Sequence, residues 1–338
     1  QGSDGELYVL GFDTGFIHKL TFSTGSGGGG PNVPTLLSQT GCAAAGNPQN
    51  PSTGMVGYEI NAPFWSDNAV KSRYFALPGS GVSFTPGTEG IWTTPVRSVI
   101  RKDFRLNGQL IETRLLMKQS NGDWAGYSYE WNVGQTDATL VDTAGKDVVF
   151  GAQTWSYPSR TQCMQCHTTA AGFNLGLETQ QMNRSTTYSQ TGRTANQLTT
   201  LSAPAIAMLT PQISDPNAQA KLSDPAGTDS LGSRARAWLH TNCSMCHRPN
   251  GPTPVSMNLM ASATLAATNT CNVDPSRGTL GLTGAKLIAP GLPDSSVILA
   301  RANSRDPLIQ MPPIGSHVVD AAGVALLRSW ISSLTGCN

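Results

Sequence analysis

Charge is scarce in this chain. Lys, Arg, Asp and Glu make up 13% of its 338 residues and nearly cancel, 22 basic against 21 acidic, and no basic cluster interrupts the balance. That removes any electrostatic case for nucleic acid or an anionic membrane surface as partner. Long apolar runs are lacking too, with no stretch of some 18 residues that would span a bilayer. The first residues, QGSDGELYVLGF, hold neither a charged n-region nor an apolar h-region. The expectation is a chain that begins after a signal peptide or after a larger upstream domain. Low charge combined with 36 Gly and 22 Pro suits an ordered, loop-rich secreted protein. Cysteine and histidine are few, seven and five, so where they fall is informative.

Four of the cysteines and two of the histidines fall in two copies of one pattern: CMQCH, Cys163 to His167, and CSMCH, Cys243 to His247. Two cysteines two residues apart, followed at once by histidine, let both thiols form thioethers to one haem while the histidine ligates its iron. A zinc site built from these residues would leave the Cys-x-x-Cys-His order unexplained in both copies. A thioredoxin-like dithiol would need a strand before the motif and a βαβ unit around it, and neither motif has them. Two covalently attached c-type haems are therefore expected, held by Cys163, Cys166, Cys243 and Cys246, with His167 and His247 as proximal ligands. Attachment of this kind implies export, so the expected location is periplasmic or extracellular. In that oxidising setting Cys271 and Cys337 are the expected disulfide, tying the end of the chain to the segment after the second motif, and Cys42 is left over.

The chain divides by composition. Residues 1–23 read as a β-hairpin around Asp13-Thr14-Gly15, an arm or the remnant of a larger sheet structure. Residues 24–33 are a glycine-rich linker. Residues 34–150 are β-rich, with the runs IWTTPVRSVIRKDFRL, QLIETRLLMKQ and WAGYSYEWN separated by turns at Pro86-Gly87, Asn107-Gly108 and Asn121-Gly122, which suggests a sandwich or partial barrel that carries or covers the first haem. Residues 151–230 form the first haem-binding segment, where Gly172 and Gly176 permit close approach to a flat macrocycle and Phe173, Leu175 and Leu177 offer a wall. Residues 231–338 turn helical, from LGSRARAWLHTNCSMCH to the closing AGVALLRSWISSL. The fold class expected is α+β.

Met311, followed by Pro312 and Pro313 on an extended loop sixty-four residues after His247, is placed to complete the axial set of the second haem. For the first haem Met182 ranks first, with Met208, Met117, His240, His317 and His18 as the other atoms in reach. Trp65, Trp92, Trp124 and Trp131 read as core and haem wall before they read as a sugar-stacking platform. Glu130, Glu178 and Asp137 are the carboxylates that an enzyme reading would use as acid-base groups.

On these residues the chain resembles known families. CSMCHRPNG, MPPIG and the closing helix with Trp330 resemble a class I cytochrome c domain over residues 231–338. From about residue 34 onward, PFWSD, ETRLL, GYSYEWN and YPSRTQCMQCH resemble bacterial diheme c-type cytochromes with a β-rich region ahead of the second haem. The opening DGELYVLGFDTGFIHKL is similar to the last propeller blade of quinoprotein sugar dehydrogenases. The resemblance implies an all-α second domain and a redox relay that passes electrons from a periplasmic or extracellular dehydrogenase, a quinoprotein among the candidates, to a protein acceptor. No enzymatic residue is implied. The alternative is a diheme peroxidase-like oxidoreductase with an open or displaceable sixth position at the first haem.

Overall fold

The computed structural model describes residues 7–10, 17–20, 33–79, 81–86, 89–188 and 191–337. Strands β1 (Leu7–Leu10) and β2 (Ile17–Leu20) pair antiparallel, while the Asp13 turn and the linker up to residue 32 lie outside the described residues. Next come the small hairpin β3 (Ala43–Ala44) and β4 (Asn47–Pro51), then β5 (Val56–Gly57), β6 (Val70–Ala76) and β7 (Val82–Ser83). The longest strands follow: β8 (Val99–Leu106), β9 (Gln109–Lys118) and β10 (Trp124–Trp131), with β11 (Ala138–Leu140) at the edge.

Six of these make one antiparallel sheet in the order β11-β10-β9-β8-β6-β5. Asn107 and Gly108 both take positive φ, the two-residue turn geometry that matches strand twist, and they close the β8–β9 hairpin. Both faces of the sheet are covered. Val99, Leu115, Met117, Tyr127 and Tyr129 pack on one side with Leu37, Cys42 and Met55 from the preceding segment. Phe75, Ile100, Leu116 and Trp124 pack on the other with Leu177, Leu198 and Leu201 from the segment after the first motif. The region is thus β-rich, as expected, but its facing layer is helix and loop rather than a second sheet, because each flanking segment buries only a few scattered apolar side chains. Arg101, fully buried, ties one face together: it pairs with Asp103 at 2.9 Å and donates to the carbonyls of Cys42, Pro48, Gln49 and Asn50.

Hairpin β12 (Lys146–Phe150) and β13 (Gln153–Tyr157) leads into α1 (Arg160–Cys166), which a capping box between Ser159 and Gln162 starts. Helix α2 (Thr179–Met182), the hairpin β14 (Ser185–Tyr188) and β15 (Arg193–Asn196), helix α3 (Gln197–Ser202) and β16 (Leu209–Thr210) follow within residues 151–230. Beyond it the regular elements are helices α4 (Leu231–Cys243), α5 (Val297–Ala302) and α6 (Ala321–Ser333), which share an apolar core around Leu239, Leu299, Leu327 and Trp330. The whole is a mixed α+β chain. Cys271 and Cys337 form the disulfide expected for them, with Cα atoms 5.6 Å apart.

The PFWSD stretch fastens the β-rich region to the C-terminal one. Asp67, buried and at positive φ, accepts from Ser316 Oγ at 2.6 Å and from the backbone N–H groups of His317 and Val318. Trp65 donates its indole N–H to the Val318 carbonyl and its backbone N–H to Asn242 Oδ1. Among the described residues no helix is long and apolar enough to cross a membrane.

Candidate functional site

Helix α1 lies against β10, so that Cys163 meets the sheet at Gly126, and a Cβ on that glycine would stand 2.7 Å from Cys163 Sγ. One turn further on, His167 Nδ1 donates to the carbonyl of Phe173, whose φ of 64° swings that carbonyl toward the ring. This bond fixes the tautomer and leaves the Nε2 lone pair for a ligand, the orientation that a metal-binding histidine requires. Burial, reinforced by the charge of Lys102, pushes the imidazole down to about 3, which keeps it neutral.

The second motif ends α4. Its His247 is buried with no partner at Nδ1, and together with Cys243, Cys246 and Met311 it lines a mostly apolar cavity. Leu259, Leu287, Val297 and Ile298 supply the walls. The Arg301 carbonyl accepts the Met311 N–H at 3.0 Å and so ties the Met311 loop to α5. The void at this motif is about 1530 Å³ and that at the first motif about 1460 Å³, open mouths included.

The two motifs touch. Thr168 Oγ1 donates to the Met245 carbonyl at 2.7 Å, Arg248 donates to the Ala170 carbonyl at 3.2 Å, and Cys246 Sγ lies 3.4 Å from the Gln165 carbonyl. Cys166, Met245 and Ile314 line both cavities, so one thin wall separates them.

The cavity at the first motif holds Cys163, Cys166 and His167, and also Gly176, Leu175 and Leu177 as the sequence suggested. Phe173 is elsewhere, stacked on Trp124 with ring centroids 6.2 Å apart. Met182 is not brought to the cavity: it is fully buried in the apolar core with Leu198 and Leu201. Met117 lies in the core on the opposite face of the sheet, Met208 packs at the edge of the Met182 cluster, and His317 is bonded to Ser156 near the surface. The side chain of His18 lies outside the described residues. His240 does line this cavity, but both ring nitrogens are engaged. Its Nδ1 accepts from the Ala261 N–H, so Nε2 carries the proton and donates to Glu178 at 3.0 Å.

Of the three carboxylates considered for acid-base work, Glu178 alone faces a cavity. Glu130 pairs with Lys146 and Asp137 with Ser38. Trp92, Trp124 and Trp131 are buried, which removes the stacking platform.

The structure also gathers cations that the sequence does not group. Lys71, Arg73, Lys102, Arg114 and Arg248 line the first cavity, and Glu178 is the single carboxylate among its lining residues.

What could this arrangement hold? Among the described residues no three His, Cys, Asp or Glu side chains converge to bind a bare metal ion. The thiols are unbridged, and burial pushes Cys166 up to about 11 and Cys243 up to about 12. Cys163, Cys166 and His167 line one cavity and Cys243, Cys246 and His247 the other, so each set could hold one group through its thiols and imidazole. Comparison of the chain with protein-family models, with curated proteins and with solved structures finds no match.

Proposed function

We propose that this chain is an electron-transfer protein carrying two covalent haems c, one on Cys163 and Cys166 with His167 as axial ligand, the other on Cys243 and Cys246 with His247. The observation that carries the reading is the shared wall: two Cys-x-x-Cys-His motifs seventy-odd residues apart in sequence are tied together by the Thr168–Met245 hydrogen bond and open into cavities separated by Cys166, Met245 and Ile314. A haem supplies reversible one-electron chemistry to such a site. Met311, lining the cavity of His247, is the second axial ligand there. On this reading residues 231–338 are a class I cytochrome c-like domain and the β1–β2 hairpin is related to a propeller blade. The location is periplasmic or extracellular, in keeping with the Cys271–Cys337 disulfide. The donor is a dehydrogenase, a quinoprotein among the candidates, and the acceptor another redox protein.

A second reading rests on one observation. Met245, the spacer of the other motif, is the one thioether lining the first cavity, which instead presents Glu178 and its bonded His240. An open sixth position beside a carboxylate fits a peroxidase-like oxidoreductase.

The optical and magnetic spectra of the oxidised protein decide between the two. Two low-spin haems with a methionine charge-transfer band support the relay. A high-spin component that binds cyanide or turns over peroxide promotes the oxidoreductase. A protein without two haems by mass and by pyridine haemochrome ends both.

A further inference from the structure

Three cations stand in line across the sheet on the face that meets the first motif. Arg73 of β6 is paired with Lys102 of β8, and Lys102 with Arg114 of β9. Lys71 lies one step along the same face, beside Phe104 and Glu112. Like charges directly opposite one another in neighbouring strands repel, and they repel most where water is excluded. Arg114 is compensated by a bidentate pair with Glu112, at 2.7 and 2.8 Å. The others are not. Arg73 is buried, and among the described residues its side chain bonds the Lys71 carbonyl at 3.4 Å. The Lys102 side chain there bonds the Leu175 carbonyl at 3.3 Å. Lys71 donates to the Phe64 carbonyl and to Ser66 Oγ. Among the described residues none of these three is ion-paired, and Asp67 and Glu59 act on Lys71 and Arg73 only at longer range. Burial and mutual repulsion push Lys102 down to about 7. Glu178, across the cavity, is already engaged by His240.

A buried row of unpaired cations is costly unless an anion completes it. Resting on the two-haem reading above, we propose that Arg73 and Lys102, with Lys71 beside them, receive the propionate carboxylates of the haem attached at Cys163 and Cys166. They thereby fix which edge of the macrocycle faces the sheet and hold those carboxylates ionised. The other cavity differs. Arg277, Arg301 and Arg305 are among its lining residues, Arg301 donating to the carbonyls of Ile309 and Arg277 and Arg305 to those of Ala302, Ser304 and Val318, and its walls are mostly apolar. The first haem is thus the one whose potential the sheet controls.

The test is a redox titration of the haem-loaded full-length protein as a function of pH, in the native chain and in Lys102→Met, Arg73→Gln and Lys102→Arg. With the cations in place the propionates stay ionised, so the native chain and Lys102→Arg give first-haem midpoints independent of pH between about 5 and 8. In Lys102→Met and Arg73→Gln, losing a cation raises a carboxylate pKa into that window, and the midpoint then falls as pH rises. The second midpoint does not move. Peptide mass analysis confirms a haem on the Cys163–Cys166 peptide in each variant. If that peptide carries no haem even in the native chain, the two-haem reading fails and takes this assignment with it. If it carries haem and the profiles of Lys102→Met and Arg73→Gln match the native one, the assignment alone is overturned. A saturable shift of the native midpoint on adding phosphate or acetate would also overturn it, since a diffusible anion would then be the occupant.

Discussion

Gly126 and Cys163 share a space that holds no further carbon: a methyl group on Gly126 would lie 2.7 Å from both Cβ and Sγ of the cysteine. The bare backbone of β10 is what lets α1 lie on the sheet with its first thiol against the strand. Gly126→Ala should push α1 outward and lower haem attachment at Cys163 and Cys166 while leaving Cys243 and Cys246 loaded. The haem count by pyridine haemochrome should drop toward half, and the peptide masses should show which motif lost it.

Met311→Ala should remove the methionine charge-transfer band and lower the potential of the second haem. An unaltered near-infrared spectrum would show that another atom is the ligand.

Helices α4 and α6 meet at Gly323, where an added Cβ would stand 2.1 Å from Trp238 Nε1. That indole N–H donates to Asp320, which also caps α6 through the Gly323 N–H. Gly323→Ala overpacks the contact and disturbs the cap together, a loss of about 1–3 kcal/mol. Denaturant unfolding would measure it.

Arg101→Met leaves Asp103 buried without its cation and strips the donors from four carbonyls. The expected loss is about 3–5 kcal/mol. Thr113 still donates to Asp103, at 2.6 Å, but a neutral hydroxyl does not replace the charge.

Burial pushes the Cys42 thiol up to about 11, against the opposing pull of Thr40 and Arg101. Its thiolate fraction near neutral pH is then about a hundredfold below that of an ordinary cysteine. Native protein should resist iodoacetamide at this residue up to about pH 9, and unfolded protein should not. Mass spectrometry of the alkylated peptide is the check.

The contiguous features were legible in the sequence. Cys-x-x-Cys-His needs no tertiary information, Asn107-Gly108 closes its hairpin by local φ preference, and α4 and α6 follow their apolar period. Met182 misleads because closeness along the chain does not fix direction. Glu178 to Met182 forms a single turn, and that turn sends the thioether into the core and Glu178 into the cavity. The cation row was hidden by a register shift between Phe104 and Arg105. Counting back from the hairpin turn sets Lys102 opposite Thr113, whereas the bulge sets it opposite Arg114.

Met245 is the spacer of one motif and a wall of the cavity beside the other. In most sequences of this pattern the two residues between the cysteines would be free ground for variation. Here a library randomised at that position to adjust one centre would retune its neighbour in the same stroke, so the two cannot be optimised by independent selections.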